Sequence, residues 1–168
     1  MKHLFLGIIT AMWSMTAVAQ CDNWIVYEED KITKQGNWMM AENIVLLEDN
    51  ATEGIGISLL LSADKKTIIW VNKVVGAGCI NENAKVEILF SDGYNISILC
   101  NNKFNCDSKA TIYFGGIFGK TDLLYDFSNK NIETLRIWTL KGYVQKDLST
   151  ANQQKFKEVF GCLTKLRD

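Results

Sequence analysis

The chain has 168 residues, 48% of them hydrophobic, and its 18 basic and 19 acidic side chains leave a net charge of −1. So balanced a charge provides no basic field to hold a nucleic acid or an anionic membrane surface. The single histidine, His3, falls in a segment read below as cleaved, so Ser-His-Asp and Cys-His pairs lack their base and histidine-containing zinc sites lack their ligand.

Residues 1–19 read as a secretory signal peptide. Lys2 gives the positive start, Leu4 to Met12 the short apolar run, and Ala17-Val18-Ala19 the small side chains beside the cut. The run is too short to span a bilayer, and no later stretch reaches the roughly 20 apolar residues a spanning helix needs. Cleavage removes Lys2, so the net charge of −1 becomes −2. The expected address is periplasmic or secreted, with a single α+β domain over residues 20–168. Cys21 lies just past the cut, where a lipoprotein carries its acylated cysteine, which makes it a candidate lipid anchor. Gln20 argues against that, because a lipoprotein peptidase expects a small residue there, and simple release is preferred.

The body reads as strands followed by a helix. With no proline in the chain, Gly, Asn and Asp must make the turns. Strands are expected over Trp24 to Glu29, Trp38 to Leu47, Ile55 to Ser62 and Thr67 to Val75, the last two joined by a tight turn at Ala63-Asp64-Lys65-Lys66. The clearest hairpin is Lys85 to Phe90, Ser91-Asp92-Gly93, then Tyr94 to Leu99, because glycine tolerates the positive φ that such turns demand. Val86, Ile88 and Phe90 alternate toward the core, as do Ile96, Ile98 and Cys100; Lys85, Glu87, Asn95 and Ser97 should look outward. Strands at Ala110 to Phe114, Ile132 to Leu140 and Tyr143 to Lys146 follow, with a turn at Lys141-Gly142 and a short helical segment near Asp122 to Phe127.

An amphipathic helix from about Thr150 to Lys165 closes the chain, capped by Ser149 or Thr150, with Thr150 and Gln153 at capping-box spacing. Phe156, Val159, Phe160 and Leu163 form its apolar stripe. The fold expected is α+β: an antiparallel β-sheet or sandwich, a meander of about eight to nine strands, with the C-terminal helix packed on it. Without βαβ alternation there is no nucleotide-binding parallel sheet.

Five cysteines remain after cleavage, in a compartment that permits disulfides: Cys21, Cys79, Cys100, Cys106 and Cys162. No C-x-x-C spacing and no histidine accompany them, which argues against a metal site. Cys79 precedes one strand of the hairpin and Cys106 follows the other, so a 79–106 bridge at its open end is favoured. Cys162 pairs with Cys21 or Cys100, and the spacing leaves both open.

Gly115-Gly116-Ile117-Phe118-Gly119-Lys120-Thr121 looks like a phosphate loop but is one residue short, with Phe114 where the first glycine belongs. A flexible turn is the better reading, and Gly115, Phe118 and Lys120 become a candidate binding surface. Glu28-Glu29-Asp30 and Glu48-Asp49 lack calcium-loop spacing and read as solvated strand ends. Asp122 and Asp126, one helical turn apart, are a candidate acid pair. Trp70 and Trp138 lie in apolar strands and are assigned to the core; Trp24 and Trp38 are the candidates for an exposed sugar-stacking platform. No catalytic constellation, cofactor motif or metal set emerges.

Cys79, Ala84-Lys85-Val86, Phe90 to Gly93, Phe104-Asn105-Cys106, Ile132 to Thr139 and the closing helix with Cys162-Leu163 together resemble small exported proteins of unknown function from Bacteroidota, over roughly residues 79–166. The resemblance implies a sheet with a C-terminal helix and a periplasmic or surface address, and transfers no catalytic residue. The expected function is an exported, non-catalytic binding or interaction domain for a protein or carbohydrate partner. The alternatives are a periplasmic inhibitor of a lysozyme or protease, with the Gly115 to Lys120 loop in the enzyme's cleft, and a carboxylate-dependent enzyme.

Overall fold

The computed structural model describes residues 21–29, 31, 33, 35–47, 52–76, 78–116 and 120–168. The leader assigned to residues 1–19, and Asp30, Glu48, Asp49 and Phe118 among the residues singled out above, lie outside them. Among the described residues ten strands form two antiparallel sheets: β1 (Ile25–Glu29), β2 (Gly36–Met40), β3 (Ile44–Leu47), β4 (Gly54–Leu61), β5 (Thr67–Val75), β6 (Lys85–Phe90), β7 (Asn95–Leu99), β8 (Lys109–Gly115), β9 (Ile132–Thr139) and β10 (Gly142–Asp147). Two α-helices accompany them, α1 (Leu124–Asn129) between β8 and β9, and α2 (Thr150–Arg167) after β10. The six-stranded sheet runs β1-β2-β4-β5-β8, with β3 also on β4; the four-stranded sheet runs β10-β9-β6-β7.

The α+β architecture with a helix on an antiparallel scaffold is the one expected, but the path is not a simple meander. After β5 the chain leaves the first sheet, builds the β6–β7 hairpin, returns as β8 alongside β5, and leaves again for β9 and β10. Each return must bring strand edges together across a long stretch of chain, and the two inner crossings are fastened to each other. Ile80 pairs with Asn105, and the Cys79–Cys106 disulfide sits beside that bridge. The favoured 79–106 bridge is therefore present, at the point where the sheets exchange the chain.

Two local expectations need correction. The single strand over Trp38 to Leu47 is two strands, β2 and β3, laid end to end along β4. Met39 faces Leu60 and Ile44 faces Ile57, so residues 40–43 stand opposite only residues 58–59 and the strand must bulge. The turn expected at Lys141-Gly142 lies one residue earlier: Thr139 pairs with Gly142, leaving Leu140-Lys141 as the loop. Gly142 takes φ +123°, a conformation that suits glycine. The Ser91-Asp92-Gly93 turn is as expected, with the Asp92 carboxylate accepting from the Tyr94 backbone N–H at 2.9 Å.

Helix α2 lies against strands of both sheets, touching β4, β5 and β9, and also packs on α1. Ser149 is its cap, accepting from the Asn152 backbone N–H at 3.3 Å, while the Gln153 side chain reaches back to the Leu148 carbonyl at 2.9 Å. Phe156, Val159, Phe160 and Leu163 are buried as the stripe requires. Each such side chain contributes about 1.5–3 kcal/mol by leaving water. They enter an aromatic cluster in which Phe127 of α1 meets Trp70 and Phe114 from one sheet, Phe90 from the other, and Phe156 and Phe160 of α2. The Trp70 indole N–H, which needs a partner at this depth, donates to Asn72 Oδ1 at 2.8 Å.

Cys162 bonds Cys21, clasping the 3-10 turn at Cys21–Asn23 to α2. Cys100 remains a buried thiol, and burial pushes its pKa up to about 12. Among the described residues no helix is long and apolar enough to cross a membrane.

Candidate binding face on the four-stranded sheet

The inward side chains of the four-stranded sheet, Val86, Ile88, Phe90, Ile98, Leu135, Ile137 and Val144, are all buried. Strict alternation then sends their neighbours to the opposite face. The register aligns these outward residues in cross-strand rows. Lys85 stands beside Trp138 and Tyr143; Glu87 stands beside Arg136 and Gln145, with Ser97 on its other side; Leu89 stands between Asn95 and Thr134, with Asp147 beyond.

Glu87 is the hub of this face. One carboxylate oxygen takes Lys85 Nζ at 2.8 Å, and the other takes Arg136 at 3.0 Å and the Trp138 indole N–H at 3.1 Å. The Lys85 hydrogen bond chiefly, and then those from Trp138 and Arg136, hold the Glu87 carboxyl below its ordinary 4.5, against the opposing effect of burial. The carboxylate is therefore ionised at neutral pH and accepts from all three donors.

Arg136 is fixed from its other side by Gln145, whose Oε1 accepts from Nε at 2.9 Å and from a terminal nitrogen at 2.6 Å. Its guanidinium lies 4.6 Å from the Tyr143 ring centre, Lys85 Nζ lies 4.6 Å from that of Trp138, and the two rings sit 5.4 Å apart. Thr134 donates to Asp147 at 2.7 Å. Lys85, Glu87, Arg136, Trp138 and Tyr143 are thus each held by at least two neighbours, a pre-ordered surface whose entropy has been given up before any ligand arrives. An open groove of about 330 Å³ runs over the face, lined by Glu87, Leu89, Asn95, Ser97, Arg136 and Gln145 but not by the two rings, to which Arg136 connects it.

The binding surface expected from the sequence lies elsewhere. Trp138, assigned to the core, is 36% exposed, and Tyr143 beside it is 52% exposed. Both follow the outward parity, because Ile137 and Val144 take the inward positions. Trp24 and Trp38, the expected platform, are only partly buried but pack against the core, Trp38 with Tyr27 across the β1–β2 pair at 5.1 Å. The signal that was available is alternation: Trp138 is two residues from Arg136 and adjacent to Ile137, and must share the arginine's face. Trp70, by contrast, is fully buried as assigned.

The remaining candidates are dispersed. Gly115 is buried at the end of β8, and Lys120 joins Asp122, Leu123 and the Ser97 to Leu99 edge of β7 around a separate groove of about 530 Å³. Asp122 is exposed there, whereas Asp126 is engaged with Lys130 at 3.3 Å, so the two do not face one cleft. Glu28 and Glu29 are exposed along β1. A third groove, of about 390 Å³, lies over the Cys21–Cys162 disulfide between Trp24, Ser128 and Lys157. The chain matches no protein-family model, no curated protein and no solved structure.

Proposed function

We propose that this protein is an exported, non-catalytic binding domain whose ligand sits on the outward face of the four-stranded sheet. The observation that carries the reading is the arrangement around Glu87. Two aromatic rings, a fork-like guanidinium and an amide are immobilised side by side on a solvent-facing sheet, where stability asks only for solubility. Surface ion pairs of this kind add little to folding, typically 0–1 kcal/mol, so their ordering is better explained by what they meet than by what they hold up.

Export is supported by the leader-like residues 1–19 and by the two disulfides, bonds that persist in oxidising compartments. A periplasmic or secreted address follows, in keeping with the resemblance to small Bacteroidota proteins. Release rather than lipid anchoring is favoured because the Cys21 sulfur is bonded to Cys162, and a thioether-linked lipid needs the same atom. Expression with the leader in a Gram-negative host tests the address: the chain should appear in the periplasmic fraction starting at Gln20 or Cys21, and retention in the cytoplasm would overturn it. Nuclear magnetic resonance tests the surface. Titrating the oxidised, exported chain with mixtures of soluble oligosaccharides and short peptides should shift amides of β6, β7, β9 and β10, whereas shifts confined to the groove over Cys21–Cys162 would move the site there.

A further inference from the structure

We infer that the ligand class of this face is an uncharged, hydroxyl-rich glycan, with a pyranose ring packed against Trp138 and Tyr143 and its hydroxyls held in the adjoining groove. The inference rests on the reading of the face as the binding surface and specifies what it binds.

Charge decides first. Both cations at the centre of the face are engaged with groups of the face itself: Lys85 with Glu87, and Arg136 with Glu87 and Gln145. An anionic ligand is normally captured by an arginine fork aimed at it, with both N–H arms free for two parallel bonds. Here one arm already grips Glu87 and the opposite edge grips Gln145. A cationic ligand fares no better, since the Glu87 carboxylate already accepts three donors. A ligand without charge avoids breaking either set.

Hydrogen-bonding capacity decides second. The Asn95 amide and the Ser97 hydroxyl line the groove and make no side-chain hydrogen bond among the described residues. Gln145 uses its carbonyl oxygen for Arg136, which leaves its NH₂ as a donor, and the guanidinium keeps two of its five N–H groups. These groups combine neutral donors and acceptors within one groove, the complement of hydroxyls that both donate and accept. The groove's volume of about 330 Å³ stands at the lower end of small-ligand sites, roughly 300–1,000 Å³.

The rings supply the third element. A pyranose presents a face of C–H bonds, weakly positive, and an aromatic ring presents a negative face to receive it; Lys85 and Arg136 each cover one side of these rings, so the sugar meets the parts of Trp138 and Tyr143 that stay exposed. Trp138 and Tyr143 are the aromatic side chains of this face, and they adjoin the groove through Arg136. A strand-adding peptide would seek unpaired backbone, which this sheet offers only at the outer sides of β7 and β10; across the middle of the face, β6 and β9 are paired on both edges.

The test uses the oxidised, exported chain with four neutral hexasaccharides (of β-1,4-glucose, β-1,3-glucose, mannose and N-acetylglucosamine) and two acidic ones (hexagalacturonate and a heparin hexasaccharide), by calorimetry and by the Trp138 indole N–H resonance. At least one neutral hexasaccharide should bind and shift that resonance. Trp138→Ala should weaken it at least about tenfold, as loss of an aromatic anchor does. Tyr143→Ala and Gln145→Ala, on the edge strand, should weaken it several-fold with the amide spectrum of the core unchanged, which keeps the test valid if Trp138→Ala is poorly folded. Binding of acidic hexasaccharides alone, or of none of the six, overturns the uncharged-glycan assignment while leaving the face itself as the proposed surface. A neutral hexasaccharide that binds equally to all three variants and shifts amides elsewhere overturns the assignment and the surface together.

Discussion

The two sheets turn outward faces of different chemistry to solvent. On the six-stranded sheet one cross-strand row is Met39, Leu60, Ile69 and Tyr113, half-buried side chains that shield one another and make no side-chain polar contact among the described residues. On the four-stranded sheet the corresponding positions hold Lys85, Glu87, Arg136, Trp138, Tyr143 and Gln145, each oriented by a hydrogen bond or a ring contact. An apolar row excludes water without specifying a direction, whereas a hydrogen-bonded array fixes where donors and acceptors point. The difference is the ground for proposing the four-stranded face, rather than the six-stranded one, as the binding surface.

Whether both faces belong to one cooperative unit is tested most severely by Phe127→Ala. Phe127 touches rings from both sheets and from α2, so its loss should cost about 3–5 kcal/mol in urea unfolding, in a single transition. Two separated transitions would mean that the sheets fold apart. Removing Cys79 and Cys106 together should cost about 3.5 kcal/mol on loop-closure grounds for a separation of 27 residues, less if the unfolded chain keeps structure. An unchanged urea midpoint would show that the crossings need no clasp.

Substitutions on the two outward faces should each cost about 1 kcal/mol or less, yet differ in function. Arg136→Met should weaken hexasaccharide binding, and Ile69→Thr should leave it unchanged; equal loss from both would erase the distinction drawn between the faces. The smallest effect is on pH. The folded Glu87 carboxyl titrates below its ordinary 4.5, so its contribution is complete above that value and disappears as pH falls through the lowered one. Binding should therefore persist at pH 5 and fade on further acidification, while Glu87→Gln should remove that acid-side loss; a wild-type profile flat down to pH 3 would show that the carboxylate does not organise the face.

Much of this was legible locally. The Asp92-Gly93 turn, the stripe of α2, the Ser149 cap and the nearness of Cys79 to Cys106 all depend on residues a few positions apart or on one hairpin, and periodicity reports such relations directly. The β2–β3 break was less plain, because Asn43 is the one turn-forming residue between two apolar runs; the bulge arises from matching two short strands to one long partner. Trp138 was misplaced for a different reason. Its strand is apolar in composition, but Arg136 and Ile137 mark the two faces, and parity places Trp138 with the arginine.

By itself the sequence determined most of the strands, the closing helix and the absence of imidazole from residues after His3, and it favoured a bridge across the β6–β7 hairpin. Only the tertiary structure decided that Cys162 meets Cys21 and leaves Cys100 a buried thiol, and that Glu87, Arg136, Trp138, Tyr143 and Gln145 share one outward surface. The physical reason is range. Alternation says which residues lie on the same side of one strand, but which side is buried, and which strands stand next to one another, is set by how both sheets close on α2 and its aromatic cluster.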